Sequence, residues 1–230
     1  MNAAYRNKRV TDPPIAYQTG IQDFYGRDFI VTPDVLIPRP ETEQLIDTVL
    51  TLAGKPYLPG VKAPKRTLPE TPTILDVGTG SGCIAITLKL ELPEAEIYAS
   101  DISEKALKIA QKNAAKHGTP ITSIISHLLE KVKSGNLPTP DIIVANLPYV
   151  DQNWEWIDKK ALSFEPQIAL YAKDHGLSLI KQLINETAEL QIPHLILEAD
   201  PCQHESIVNY ATQKGLKLVE ARGFILYLSL

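Results

Sequence analysis

From Thr73 to the C-terminus, short β-branched runs alternate with helical patterns, and this rhythm limits the possible folds more than any other property of the chain. "TILDV" precedes "GCIAITLKLEL", "EIYAS" precedes "SEKALKIAQKNAAKHG", and "ITSIIS" and "DIIVAN" follow. The pattern continues with a helix near Gly176 to Leu190, then "HLILEA", a helix near Gln203 to Lys214, "LKLVE" and a closing strand "FILYLSL". Parallel strands need a crossover of a dozen or more residues, usually a helix. Alternation of this kind therefore predicts βαβ units on a parallel sheet covered on both faces.

Upstream of Thr73 the pattern changes. "ETEQLIDTVLTLAG" carries apolar residues at helical spacing and predicts a helix packed on the sheet. Residues Ile21 to Ile37, with "FYGRDFIVTPDVLI", read as a short β-hairpin. Between that helix and Thr73, "KPYLPGVKAPKRTLPETP" holds Pro56, Pro59, Pro64, Pro69 and Pro72 and reads as an irregular linker. A chain of 230 residues with 44% apolar composition supports one sizeable core with a small appendage rather than two full domains. The expected division is an N-terminal segment with the hairpin over residues 1–40 and the main domain over 41–230.

Charge and cysteines narrow the function classes. With 27 acidic against 23 basic residues and a net charge of −4, no basic excess marks a phosphate-binding surface. Cys83 and Cys202 stand far apart without metal-ligand spacing, so no metal centre and no disulfide framework is expected, and both read as buried small hydrophobes. The N-terminal stretch has no apolar run of signal-peptide length and no later stretch reaches membrane-spanning length, so the expected location is the cytosol.

"ILDVGTGSGCIAI" places Asp76, Gly78, Gly80 and Gly82 between a strand and the opening of a helix. Glycines let the backbone pass close to a ligand, and a helix N-terminus offers unpaired N–H groups. Asp101, at the end of the next strand, can accept both hydroxyls of a ribose. Dinucleotide folds use G-x-G-x-x-G; here the glycines run G-x-G-x-G with an acid two residues ahead. That form suits S-adenosylmethionine, which has no pyrophosphate, and whose sulfonium and amino group favour a nearby carboxylate such as Asp76. The alternative is a tight strand-to-helix turn capped by Ser81.

"VANLPYV" ends the fourth parallel strand in Asn146, and open α/β sheets bind ligands outside the carboxyl ends of their strands. An amide or aromatic amine is a poor nucleophile because its lone pair is delocalised. The Asn146 side-chain oxygen and the Leu147 carbonyl can accept the two hydrogens of such an NH₂ group, which aims the nitrogen and stabilises charge developing on it. Pro148 holds Leu147 extended, and Tyr149 offers a face on which a planar group can stack.

Together with "PPIAYQTG", "LIPRPETE", "ASDIS", "FEPQIAL" and "LILEA", these motifs span Pro13 to about Ala199. In order and spacing the chain resembles the PrmC/HemK family, the protein-(glutamine-N5) methyltransferases that modify peptide chain release factors. The resemblance implies a seven-stranded class I S-adenosylmethionine-dependent methyltransferase (Rossmann-like) fold preceded by a short β-hairpin. It also implies methyl transfer to the glutamine of a Gly-Gly-Gln tripeptide. Carried over by position, Gly78, Thr79, Gly80, Ser81, Gly82, Asp101 and Leu128 hold the cofactor. Asn146 lies between cofactor and glutamine, with Tyr149 beside it in the catalytic pair, and Leu147, Pro148 and Tyr149 complete the substrate mouth. "IPRPETE" is expected over the same pocket, which is compatible with its being the Pro-led, acidic first turn of a helix.

Three departures from the family pattern stand out. Leu147 replaces the first proline of Asn-Pro-Pro-Tyr, keeping the carbonyl but losing rigidity. His127 stands where an Asp meets the adenine amino group; a neutral imidazole can accept that bond, and a surface histidine is the other reading. Members also carry an N-terminal helical domain that helps dock the release factor, and this chain is expected to lack it. Trp154 and Trp156 are candidate partner contacts, with at least one expected to bury against the sheet edge. The competing functions are glutamine methylation of a ribosomal protein, N6-adenine methylation of nucleic acid, and a non-catalytic descendant that binds a partner.

Overall fold

The computed structural model describes residues 12–55 and 65–230. Much of the proline-rich linker, residues 56–64, lies outside the described residues. A short helix α1 (Ile15–Thr19) leads into an antiparallel hairpin of β1 (Ile21–Phe24) and β2 (Arg27–Ile30). Its two-residue turn, Tyr25 and Gly26, has φ of 54° and 68°, the positive values that match strand twist in a tight hairpin. Glu43 accepts the Tyr25 N–H at 2.7 Å, which ties the turn to the following helix. The strands stop at Ile30 rather than continuing to Ile37. Pro33 and Pro38 bring no N–H to a ladder, and the intervening chain runs over the end of the sheet instead.

One 3₁₀ turn (Pro40–Thr42) precedes α2 (Glu43–Leu52). The remainder alternates as expected: β3 (Thr73–Val77), α3 (Cys83–Glu91), β4 (Glu96–Asp101), α4 (Glu104–Lys116), β5 (Thr122–Ile125), α5 (Glu130–Lys133), β6 (Ile142–Ala145), α6 (Lys159–Leu162), α7 (Ser178–Glu189), β7 (His194–Glu198), α8 (His204–Gln213), β8 (Lys217–Arg222) and β9 (Ile225–Ser229). The seven-stranded sheet has the order β5-β4-β3-β6-β7-β9-β8. β3 to β7 are parallel, and β9 inserts antiparallel between β7 and β8.

Both faces of the sheet are buried, and the period-two alternation of strand side chains divides them. Ile74, Ile142, Val144, Ile196 and Tyr227 face α2 and α3, whose Leu45, Val49, Ile86 and Leu88 join the same cluster. Leu75, Val77, Ile143, Leu195 and Leu228 face α7 and α8 with Leu183, Ile184 and Ile207. Phe24 and Phe29 of the hairpin sit in the first cluster, so the hairpin shares the main core. Strand order reverses between β3 and β6: the chain leaves β3 toward β4 and later returns to β3's other side. Loops at the carboxyl ends of those two strands part there and leave a crevice.

Candidate active site

The crevice holds a cavity of about 320 Å³, within the size range of small-molecule sites. After Val77 the chain turns through Gly78, Gly80 and Gly82 with φ of 77°, 55° and 81°, values that L side chains adopt only under strain. Asp76 holds this loop from beneath. Its Oδ2 accepts the Thr79 hydroxyl at 2.7 Å and the Ala85 N–H at 3.2 Å. It is fully buried and is not among the residues lining the cavity, so it stands behind the loop rather than at its rim. Burial pushes its carboxyl up to about 7.

Asp101 does reach the cavity. Its Oδ2 accepts the Gly80 N–H at 2.9 Å and its Oδ1 the Ser103 N–H at 2.8 Å, which sets the carboxylate at the rim of the loop. Burial raises its pKa. Gly78, Thr79, Gly80, Ser81, Asp101, Leu128, Asn146, Leu147 and Pro148 all line this one cavity, as does His127. Gly82 and Tyr149 are not among the lining residues. Gly82 is the N-cap of α3 and has no side chain to cap it; Asp76 takes the first-turn N–H of Ala85 instead. A Cβ on it would stand 3.0 Å from the Ala110 Cβ, so its role is the close packing of α3 on α4. Leu147 nests against the loop, with its Cδ2 3.1 Å from where a Gly78 Cβ would be.

The "IPRPETE" segment forms the roof. Pro38, Arg39 and Thr42 line the cavity, and Arg39 caps the Pro-led turn Pro40–Thr42 before α2. Glu165 of "FEPQ" holds the roof: its Oε1 accepts from Arg39 at 2.5 Å and its Oε2 accepts the Ile37 N–H at 3.1 Å. At the β6 mouth, Asn146 Nδ2 donates to Thr42 Oγ1 at 3.1 Å, and Thr42 donates to Glu198 Oε2 at 2.6 Å. Tyr149 turns its hydroxyl away from the cavity to donate to Glu198 Oε1 at 2.9 Å. Burial raises the pKa of Glu198, while hydrogen bonds from Thr42, Tyr149 and Asn146 oppose the shift. Burial beside Glu198 pushes the Tyr149 phenol well above its ordinary range.

Thr42, Glu165 and Glu198 were not singled out from the sequence. Glu198 carried a usable signal: it ends an apolar strand as Asp101 does, at the end of the sheet where ligands bind. Two other expectations need correction. Cys202 is exposed, unlike the buried Cys83, because it lies on the solvent side of the turn that Asp200 caps. Trp154 and Trp156 stack on each other with ring centroids 5.0 Å apart, but Trp154 is only half-buried and Trp156 is 66% exposed, so neither is buried.

Residues 62–161 match the family model described as methyltransferase small domain. The release factor glutamine methyltransferase of Staphylococcus aureus is 33% identical over 92% of this chain and 68% of its own length. That of Koribacter versatilis is 43% identical over 79% of this chain and 60% of its own. The chain belongs to the release factor glutamine methyltransferase family. It spans about three-fifths of the length of the first curated relatives it matches. Among solved structures, a methyltransferase from Pyrococcus furiosus superposes with a TM-score of 0.57 at 14% identity, covering 93% of this chain and 90% of that one. The magnesium protoporphyrin IX methyltransferase of Synechocystis with bound SAM gives 0.50 at 20% identity, covering 82% and 79%. The fold is thus that of class I S-adenosylmethionine-dependent methyltransferases.

Proposed function

We propose that this chain transfers a methyl group from S-adenosyl-L-methionine to the side-chain amide nitrogen of the glutamine in the Gly-Gly-Gln motif of a peptide chain release factor. The carrying observation is that the Asn146–Pro148 mouth opens into the same cavity as the glycine loop and Asp101. A methyl donor and an amide can therefore share one space. Support also comes from the activity for which the relatives above are named.

The donor fits the residues present. Gly80 has nothing within 4 Å of a notional Cβ, so the loop leaves open room there, and Asp101 presents a carboxylate at the rim for ribose hydroxyls. Ile102 and Leu128 give apolar walls for a flat base. S-adenosyl-L-methionine supplies an activated methyl group on a sulfonium centre. The chain's own work is orientation. Asn146 Oδ1 and the Leu147 carbonyl accept the two hydrogens of the glutamine NH₂, fix its nitrogen, and stabilise positive charge growing on it. Pro148 keeps the Leu147 carbonyl extended toward the mouth. The site of action is the cytosol, where translation terminates.

Purified release factor, a ribosomal protein and nucleic acid, each incubated with the chain and labelled cofactor, test the reading. One methyl on the Gly-Gly-Gln glutamine is expected by mass spectrometry, and label in nucleic acid alone would sink the proposal. Asn146→Ala should slow single-turnover transfer by about 10²–10³ while cofactor binding persists. Asn146→Asp keeps an acceptor oxygen and should be less damaging.

A further inference from the structure

The β6 mouth is backed by a buried carboxylate that the mechanism above does not use. Glu198 ends β7 beside β6, whose Ala145 pairs with Leu197, and it is only 1% exposed. Thr42, which arrives from the roof segment, is 2% exposed. We propose that Glu198, through Thr42 and through its own hydrogen bond with the Asn146 side chain, is a positioning residue that decides which way round the Asn146 amide stands. The inference rests on Asn146 being the acceptor for the glutamine NH₂.

The number of hydrogens at the mouth sets the direction of each bond. An ionised carboxylate only accepts, whereas a hydroxyl has one hydrogen and two lone pairs. Glu198 Oε2 takes the Thr42 hydrogen at 2.6 Å, and Oε1 takes the Tyr149 hydrogen at 2.9 Å. Thr42 Oγ1 then has only lone pairs to offer its other neighbour, and a lone pair can bond the NH₂ end of Asn146 but not its oxygen. Asn146 Nδ2 meets it at 3.1 Å. The other end of the amide, Oδ1, is left to the cavity. With the amide reversed, two NH₂ groups would face each other across the mouth and the substrate would have no side-chain acceptor. Tyr149 belongs to the same device: by filling Oε1, it leaves Thr42 the remaining carboxylate oxygen.

The test uses the full chain. Thr42→Val keeps the shape and removes the hydroxyl, Thr42→Ser returns it, and Glu198→Gln puts a donor where only acceptors stood. At saturating release factor, single-turnover transfer should fall about 10- to 100-fold in Thr42→Val, a smaller loss than removing the acceptor itself. It should recover to about wild-type in Thr42→Ser, with cofactor affinity by calorimetry little changed in both. Glu198→Gln should also be slow, and the Thr42→Val/Glu198→Gln pair no slower than the worse single variant, because both act on the one Asn146 amide. Thr42→Val at the wild-type rate, Thr42→Ser as slow as Thr42→Val, or additive losses in the pair would overturn the proposal.

A second readout needs neither catalysis nor a variant. In wild-type protein labelled with ¹⁵N-asparagine, one Asn146 side-chain amide hydrogen should exchange slowly with water, and two rapidly exchanging hydrogens would overturn the assignment. A protected Asn146 amide with no methyl on release factor would sink the methyl-transfer reading and leave the orientation standing. Methyl transfer that is insensitive to Thr42→Val does the reverse.

Discussion

The side-chain amide of Asn113 in α4 donates to the Ser81 carbonyl at 2.8 Å, joining the glycine loop to the helix behind it. The same side chain is matched to β2: its Oδ1 accepts the Ile30 N–H at 2.7 Å and its Nδ2 donates to the Ile30 carbonyl at 2.9 Å. One fully buried amide thus fastens hairpin, loop and helix together. Asn113→Ala leaves three backbone groups without their partner and should cost about 2–4 kcal/mol by urea unfolding. Asn113→Asp keeps one bond but sets a carboxylate against two carbonyls, so it should be at least as unstable. A milder Asp variant would mean the two donated bonds contribute little.

Two glycines of one loop should fail differently. Gly82→Ala drives a Cβ to 3.0 Å from the Ala110 Cβ and 3.1 Å from Ile86 Cδ1 at φ 81°, combining left-handed strain with overpacking for a loss of roughly 2–4 kcal/mol. Gly80→Ala meets no atom within 4 Å but puts the methyl into the open side of the loop. It should cost only about 1–2 kcal/mol of stability while weakening cofactor binding. Melting temperature and calorimetry on both variants check the contrast, which disappears if the two lose stability equally.

Asp101→Ala removes the charged acceptor expected to meet the ribose. Cofactor affinity should drop by roughly 1.5–3 kcal/mol per lost bond, beyond the destabilisation from freeing the Gly80 and Ser103 N–H groups. Unchanged affinity in isothermal titration would remove Asp101 from the cofactor site.

Asp76 makes stability depend on pH in an unusual direction. Its carboxyl is raised from 3.8 to about 7, chiefly by burial, so between those values the folded state holds a proton that the unfolded chain has released. Its contribution is fully present below the lower value and is lost as pH rises through the upper one, by at most about 1.4 kcal/mol per pH unit. Asp76→Asn retains an oxygen for Thr79 and Ala85 but does not titrate. Urea midpoints at about pH 5 and pH 8 should therefore fall less for Asp76→Asn than for the wild type. Equal falls would show that Asp76 is not the group responsible.

The strands of the core were legible because burial on both faces writes itself into consecutive residues: "TILDV", "DIIVA" and "LILE" each supply side chains to both core clusters. The same holds for the glycine loop, Asp101 and the Asn146–Pro148 mouth, where spacing along the chain and position at a strand end suffice. The hairpin is shorter than the expected Ile21 to Ile37: its second strand ends at Ile30, ahead of Pro33 and Pro38, which bring no N–H to a ladder. Gly82 was grouped with the ligand-facing glycines because only the packing of α3 on α4 shows what its missing Cβ avoids.

By itself, then, the sequence determined the order of elements, the sheet's class and the loops that meet at its carboxyl end, because hydrophobic period, turn chemistry and strand-end residues act within a window of a few residues. Only the tertiary structure decided which polar groups complete the site. Thr42 and Glu198 lie 156 residues apart, Arg39 and Glu165 126 apart, and Asn113 and Ile30 83 apart. Apart from the strand-end position of Glu198, nothing local distinguishes those residues from others of their type. Each is selected by the requirement that a buried donor or acceptor find its partner, and the partner is known only once the strand order has brought distant segments together.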